Sequence, residues 1–94
     1  MSGVADHDQP LVGHATAGPG GVMTDEVGVI TGDLTVETSP RPDGRADVRI
    51  QYTDADEWYV LTGSPTDIPT AGLPTLHEAV LTLVRTGGSR GLHD

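Results

Sequence analysis

The sequence predicts an α+β fold: a small antiparallel three-stranded sheet with one C-terminal helix on one face, in the order β-β-β-α. Three observations support this fold. A β-like run covers residues 27–37, an alternating apolar pattern typical of a β-hairpin covers 48–62, and an apolar stripe of helical period follows. All three lie within residues 27–87, which we predict to be the folded domain.

The first β-like run changes phase midway. Val27 and Val29 occupy odd positions, whereas the later apolar residues occupy even ones (Ile30, Leu34 and Val36). One long strand with a bulge near Gly32 would absorb this change. A tight hairpin on Gly32 and Asp33 would absorb it equally well. Both alternatives stay open at this point.

The second and third strands form the predicted aromatic hairpin, which follows a turn signal rich in Pro and Gly over residues 39–45. Apolar and polar residues alternate from Val48 to Tyr52, as in a half-buried strand. A loop over residues 53–57 would place three pairs on one face: Tyr52 with Trp58, Ile50 with Val60, and Val48 with Thr62. This register keeps the apolar residues together.

The helix is predicted from its start signal and its stripe. Thr75 and Glu78 have the spacing of a capping box, in which each side chain bonds the other's backbone amide. Gly87 and Gly88 end the helix, and Arg85 in its last turn opposes the negative end of the helix dipole. The predicted buried stripe has the spacing i, i+3, i+4, i+7, i+8: Leu76, Ala79, Val80, Leu83 and Val84.

The two ends of the chain lack such patterns. Residues 1–26 are rich in Gly, Ala, Asp, His and Pro and contain four acids but no base. A segment of this kind buries too little apolar surface to offset its ordering entropy, so we predict a flexible, disordered N-terminal tail. Residues 88–94 are predicted to be a frayed C-terminus.

Composition excludes several classes of function. The net charge of the 94-residue chain is −9, and all five bases are Arg. Binding of nucleic acid or of an anionic membrane needs clustered cations, which are missing here, whereas a basic protein partner is compatible. No signal peptide, bilayer-spanning run or Cys is visible, which favours a cytoplasmic protein. The abundance of residues with GC-rich codons suggests a bacterial source.

The predicted hairpin register leaves one sheet face uncovered. Tyr59 and Leu61 would point away from the helix and lie beside Gln51 and Arg49 of the neighbouring strand. A single short helix covers only one face, and small domains need extra burial. We therefore predict that Arg49, Gln51, Tyr59 and Leu61 form an interaction face, with Tyr59 as its anchor.

The sequence predicts no catalytic residue, no metal site and no cofactor. Asp54, Asp56 and Glu57 form the densest acidic cluster, but they do not follow the spacing of a calcium loop and are typical of a solvated hairpin loop. His77 is the only His within the predicted domain, and we predict that it lies on the surface at the start of the helix. An enzyme would need His77 to lie within hydrogen-bond distance of a carboxylate of this loop, inside a cleft.

One segment resembles a known family. The chain runs from Tyr59 and Val60 through Pro65, Asp67, Ile68 and Pro69 to the helix start at residues 75–80. This order is similar to the HicB antitoxins, in which a strand leads through a Pro-Asp-aliphatic-Pro-Gly turn to a Thr-Leu-Glu-Glu-Ala helix. It covers about twenty residues, and this chain lacks the Gly after Pro69. The resemblance implies an acidic protein that blocks a basic ribonuclease toxin.

The combined expectation is a small, acidic, non-catalytic protein–protein interaction or regulatory module. It is expected to form a homodimer through the uncovered sheet face and to accept a basic protein partner. There are two alternatives. One is a HicB-like antitoxin, and the other is a sheet face that binds a small ligand through Tyr59 and Arg49.

Overall fold

The computed structural model describes residues 9–93 and has an α+β architecture with seven strands and one helix in that range. The elements, in chain order, are β1 (Leu11–Thr16), β2 (Val22–Thr24), β3 (Gly28–Ile30), β4 (Asp33–Pro40), β5 (Arg45–Tyr52), β6 (Tyr59–Val60), β7 (Thr66–Asp67) and α1 (Leu73–Thr86).

The main sheet has five antiparallel strands, not the three predicted. Its order is β1-β4-β5-β6, and β7 pairs with the other end of β5 beside β6. The two long strands β4 and β5 pair along their whole length, from Leu34 opposite Tyr52 to Pro40 opposite Ala46. The predicted turn between them is confirmed, with Gly44 at φ 83° and the Arg41 amide donating to the Arg45 carbonyl at 2.7 Å.

The extra strands come from the predicted tail. Strand β1 pairs with β4 in continuous register, from Leu11 opposite Thr38 to Thr16 opposite Asp33. Strands β2 and β3 form a separate two-stranded sheet. The prediction of a flexible N-terminal tail is therefore wrong for residues 11–24, because β4 supplies the pairing that these residues lack on their own. Residues 1–8 lie outside the described part of the chain.

Neither interpretation of residues 27–37 is correct. Gly28–Ile30 belongs to the β2–β3 sheet, whereas β4 begins at Asp33 in the main sheet. Gly32, at φ 88°, lies at the break between them. The change of apolar phase therefore marks a passage from one sheet to another. It is not a bulge within one strand or a turn between paired strands.

The core lies between one face of the main sheet, the helix and the β2–β3 hairpin. Its fully buried side chains alternate along the two long strands (Leu34, Val36, Val48 and Ile50) and are covered by Val80 and Val84 of α1 and by Val22 and Ile30 of the hairpin. Burying a side chain of this kind contributes about 1.5–3 kcal/mol. The opposite face of the sheet has no helix against it within the described residues.

The helix begins three residues earlier than predicted and without the capping box. Its N-cap is Gly72, no side chain caps it, and Pro74 lies in its first turn. Its buried face is His77, Val80, Leu81 and Val84, which is rotated from the predicted stripe and leaves Ala79 exposed. The end at Gly87 is confirmed: the Gly87 amide donates to the Leu83 carbonyl at 3.0 Å.

The C-terminal residues are tied to the hairpin and do not fray as predicted. The Ser89 amide donates to the Gly21 carbonyl at 2.9 Å, and the Met23 amide donates to the Arg90 carbonyl at 2.8 Å. The Leu92 amide donates to the Thr62 carbonyl at 2.7 Å, and the Leu92 side chain is buried in the core. These bonds connect residues 89–92 to the β2–β3 hairpin and to Thr62, which follows β6. Asp94 lies outside the described residues.

Candidate interaction surfaces

The predicted register of the aromatic hairpin is wrong by one residue. Ile50 lies opposite Tyr59 and Arg49 lies opposite Val60, and the Leu61 amide donates to the Val48 carbonyl at 3.1 Å. A shift of one residue exchanges the two faces of a strand. Tyr59 and Leu61 therefore lie on the core side, and Val60 lies on the outer side.

The predicted interaction face is consequently not one surface. Leu61 is 0% exposed and lies in the core, and Tyr59 is half buried against the same core. Arg49 and Gln51 do lie on the outer face, as predicted. The observed register buries Leu61 in the core with Val22 and Ile30 of the β2–β3 hairpin, and this hairpin was not predicted from the sequence. Tyr52 is 41% exposed and so does not form a buried pair with Trp58.

On the outer face of the sheet, Arg49 contacts both an acidic and an aromatic side chain. Its guanidinium binds the carboxylate of Glu37 on the neighbouring strand and lies 5.2 Å from the centre of the Trp58 ring. A cation over an aromatic face contributes about 0.5–1 kcal/mol at an exposed site. Arg49 also lines a shallow cleft of about 380 Å³ with Ser39, Asp47, Val60, Ser64 and Pro65. Tyr59 does not line this cleft.

The turn between β4 and β5 balances its own charges. Arg41 forms ion pairs with Asp43 and Asp47, and Arg45 forms one with Asp43, at 3.2–3.4 Å. The backbone N–H of Arg45, together with the guanidinium of Arg41, lowers the pKa of the Asp43 carboxyl. Two bases and two acids thus neutralise each other at this end of the sheet.

The opposite end of the sheet has the reverse character, and we call it the acidic end. Five carboxylates lie on the β5–β6 loop and the β2–β3 turn: Asp25, Glu26, Asp54, Asp56 and Glu57. Within residues 9–93 none of the five forms an ion pair. The nearby hydrogen bonds place the two segments side by side, because Glu26 accepts from the Val60 amide at 2.8 Å and Asp25 accepts from the Thr62 hydroxyl at 2.8 Å.

Tyr59 lies close to two of these carboxylates, Glu57 and Glu26. Its hydroxyl donates to Glu57 at 3.0 Å. This bond, followed by burial and the charges of Glu57, Tyr52 and Glu26, raises the pKa of the Tyr59 hydroxyl. Aromatic and acidic side chains therefore share the acidic end. Sequence reasoning found the loop acids but missed Asp25 and Glu26, since they belong to the predicted tail.

His77 is buried, not on the surface as predicted. It is 6% exposed, and its Nδ1 lies 2.8 Å from the hydroxyl of buried Thr38. Burial lowers the pKa of the His77 imidazole. Thr38 pairs with Val48, whereas the acidic loop follows Tyr52 at the far end of the same strand. His77 and the acidic loop are thus separated along β5.

The described part of the chain contains no group of three His, Cys, Asp or Glu side chains placed to hold a metal ion. No helix in that part of the chain is both long enough and apolar enough to cross a lipid bilayer. Comparison of the chain with models of known protein families, with curated proteins and with solved structures gives no significant match.

Proposed function

We propose that this chain is a small, acidic, non-catalytic interaction module that binds a basic protein partner at its acidic end. The observation that carries the proposal is that five carboxylates on two segments, the β5–β6 loop and the β2–β3 turn, form no ion pair within residues 9–93, and two of them, Glu57 and Glu26, act on Tyr59. Complementary charge speeds encounter and selects partners, and aromatic side chains supply contact area at interfaces.

The aromatic side chains give the acidic end more than charge. Tyr52 is 41% exposed, and Trp58 and Tyr59 are half buried. Tyr and Trp are enriched among residues that dominate binding energy. The guanidinium of Arg49 lies over the Trp58 ring, and the Tyr59 hydroxyl donates to the carboxylate of Glu57. Such fixed rings lose little entropy on binding.

The test compares matched charge removals, with an arginine-rich peptide as the probe. Variant one carries D54N, D56N and E57Q in the acidic end. The control carries D43N, D47N and E78Q and so has the same net charge. We expect variant one to weaken peptide binding tenfold or more, and the control to weaken it less than twofold. Calorimetry at two salt concentrations measures both.

A third variant separates a docking surface from general attraction. Tyr52→Ala keeps every charge, and we expect it to weaken peptide binding by threefold or more. Equal losses in the two charge variants, together with no loss in Tyr52→Ala, would show attraction by net charge alone and refute the proposal. The HicB resemblance implies one class of partner for this surface, a basic ribonuclease.

A second candidate function rests on the cleft beside Arg49. This cleft of about 380 Å³ on the outer face combines a cation with the hydroxyl of Ser64 and the carboxylate of Asp47. Pockets for small ligands start at about 300 Å³ and need only a few polar groups to orient the ligand. A ligand screen by thermal shift tests this alternative: stabilisation that Arg49→Gln abolishes supports it, and no stabilisation by any compound counts against it.

A further inference from the structure

The two edges of the main sheet are treated differently. At the edge formed by β6, the chain continues into Leu61, which bridges to Thr24 of the β2–β3 hairpin. Residues 89–92 then bond to Met23 and Thr62. That edge is therefore covered by other parts of the same chain. The edge formed by β1 pairs on one side only, with β4, among the described residues.

The hydrogen-bond pattern identifies which residues of β1 face this open edge. The Val48 carbonyl accepts from Leu61 and the Val48 amide donates to the Ser64 hydroxyl at 2.8 Å, so even-numbered residues of β5 point their peptide groups away from β4. Peptide groups alternate along an antiparallel strand, and directly opposed residues point either toward or away from each other. Val36, opposite Ile50, therefore points toward β1.

The same alternation extends to β1. Gly13 lies opposite Val36, so its peptide groups point back to β4. The adjacent residues Val12 and His14, and Thr16 beyond them, must then point their N–H and C=O groups to the open edge. The Ala17 amide, which donates to the Gly32 carbonyl at 2.9 Å, agrees with this phase. The side chains of Val12, His14 and Thr16 are all exposed.

Strand β1, which begins directly after Pro10, lacks within its six residues the features that usually prevent strand pairing. Natural edges are protected by charged side chains, Pro, bulges or very short strands. Strand β1 is six residues long, contains no acid, Arg, Lys or Pro, and pairs with β4 without a bulge. Val12 is 57% exposed. The strand thus presents a regular, uncharged row of hydrogen-bonding groups.

We propose that β1 of a second copy pairs antiparallel with this edge and joins two main sheets into one continuous sheet. Two copies of net charge −9 repel each other over most of their surfaces. Strand β1 has no Asp, Glu, Lys or Arg, so two copies can approach along this edge without bringing charged strand residues together. The nearest carboxylates are engaged within each copy, since Glu37 binds Arg49 and Asp33 accepts from the Thr16 hydroxyl at 2.8 Å.

The alternation also fixes the register of the dimer. A two-fold axis at His14 places His14 opposite His14 of the second copy and Val12 opposite its Thr16. All three outward-facing residues then pair on each side, which gives about six hydrogen bonds between the copies. The area buried by one strand pair is at the low end for protein interfaces, so the dimer dissociates readily, with a Kd of about 1 μM or weaker.

The test is amide hydrogen exchange on the full chain, measured by NMR at about 20 μM and at about 1 mM to span such a Kd. We expect the amides of Val12, His14 and Thr16 to exchange more slowly at the higher concentration, by about fivefold for a Kd of about 10 μM and by about twofold for a Kd of about 1 mM. The amides of Gly13 and Ala15, bonded to β4, should be protected at both. Sedimentation velocity over the same range measures the dimer directly. A chain that stays monomeric at about 1 mM, or outward amides that exchange equally fast at both concentrations, would refute the proposal.

Two variants give the same decision independently. His14→Pro removes an outward N–H and leaves the bonds to β4 intact, so it should be monomeric, whereas His14→Ala should dimerise like the parent. If His14→Pro fails to fold, Val12→Asp replaces it, because a carboxylate there would face Thr16 and Asp33 of the second copy. Val12→Asp should weaken self-association tenfold. The control is Val27→Asp, the same substitution at a residue that is 54% exposed in the β2–β3 turn beside the opposite edge of the sheet, and it should weaken self-association less than twofold.

Other outcomes of these experiments are decisive as well. Association that survives both His14→Pro and Val12→Asp would place the contact elsewhere and refute the proposal. Association of β1 only with an extended peptide, and never with itself, would also refute it. This proposal goes beyond the binding of a basic partner at the acidic end, and the peptide titrations and the dimer measurements can fail separately.

Discussion

The two faces of the main sheet are built from the same strands but differ in burial and in the kind of contact that their side chains make. On the inner face, alternate residues of β4 and β5 are sealed from water under α1 and the β2–β3 hairpin. On the outer face, the intervening residues form ion pairs and a cation–aromatic contact in partial contact with solvent. The inner face therefore contributes most of the stability, and the ion pairs of the outer face contribute little.

Adjacent residues Val60 and Leu61 give the sharpest contrast between the two faces. Leu61 is 0% exposed in the core, whereas Val60 lines the outer cleft. We expect Leu61→Ala to lower the free energy of unfolding by about 2–5 kcal/mol, because it removes buried surface and leaves a cavity. Val60→Ala should cost about 1 kcal/mol or less. Urea unfolding followed by fluorescence of Trp58 measures both. A larger cost for Val60→Ala than for Leu61→Ala would support the register predicted from sequence and contradict the observed one.

Acid should weaken the inner face through His77. Burial holds the pKa of His77 below its ordinary value of 6.5. Above pH 6.5 the imidazole is neutral in both the folded and the unfolded chain, so stability is at its full value. As the pH falls below 6.5, the unfolded chain binds a proton that the folded chain does not, and the free energy of unfolding decreases until the folded-state pKa is reached.

The variant His77→Gln isolates this effect. It keeps a neutral side chain that can bond Thr38 but removes the proton-binding site. The free energy of unfolding of the parent should fall more steeply between pH 6.5 and 5 than that of the variant. Urea titrations at several pH values give the two slopes. Parallel slopes would mean that His77 is accessible to protons in the folded chain.

The outer face should tolerate loss of its central ion pair. Arg49 and Glu37 are held in place but partly solvated, with exposed side-chain fractions of 44% and 16%. Exposed ion pairs contribute about 0–1 kcal/mol, and the contact with Trp58 adds a similar amount. Arg49→Ala should therefore lower the free energy of unfolding by about 1–2 kcal/mol at most. Arg85→Ala, on the exposed side of α1, is the control, with an expected change below about 0.5 kcal/mol.

Sequence reasoning succeeded where one local pattern decides the structure. The β4–β5 turn contains residues that favour one backbone path, and its Gly44 takes the positive φ that the turn needs. The end of the helix at Gly87 was predicted for a similar reason. The start of the helix was wrong because Pro74 fits the first helical turn as well as it fits a loop.

The missing strands had weak local signals for a physical reason. The inner side of β1 consists of Leu11, Gly13 and Ala15, which gives little apolar alternation. Small residues are needed there because α1 lies close. A side-chain carbon added at Gly13 would lie 3.0 Å from His77 and 3.1 Å from Leu81. The small residues that made β1 resemble a disordered segment are thus the residues that allow α1 to pack closely against it.

The candidate surfaces depended on those strands. Asp25 and Glu26 belong to the acidic end only because the β2–β3 turn lies beside residues 60–62, to which both side chains are hydrogen-bonded. The prediction of the register also lacked the β2–β3 hairpin, whose Val22 and Ile30 form part of the core in which Leu61 is buried. Composition gave the negative net charge and favoured a basic partner, but it contained no information on where the carboxylates without ion pairs would lie.

By itself, the sequence determined the α+β class, the two long strands with their turn, and the existence and end of the helix, because these depend on local periodicity and backbone preference. Only the tertiary structure decided the number of strands, the register of the aromatic hairpin and the face on which each apolar side chain lies. Those features depend on pairing between residues far apart in the chain, and the free energy of such pairing is not present in any one segment.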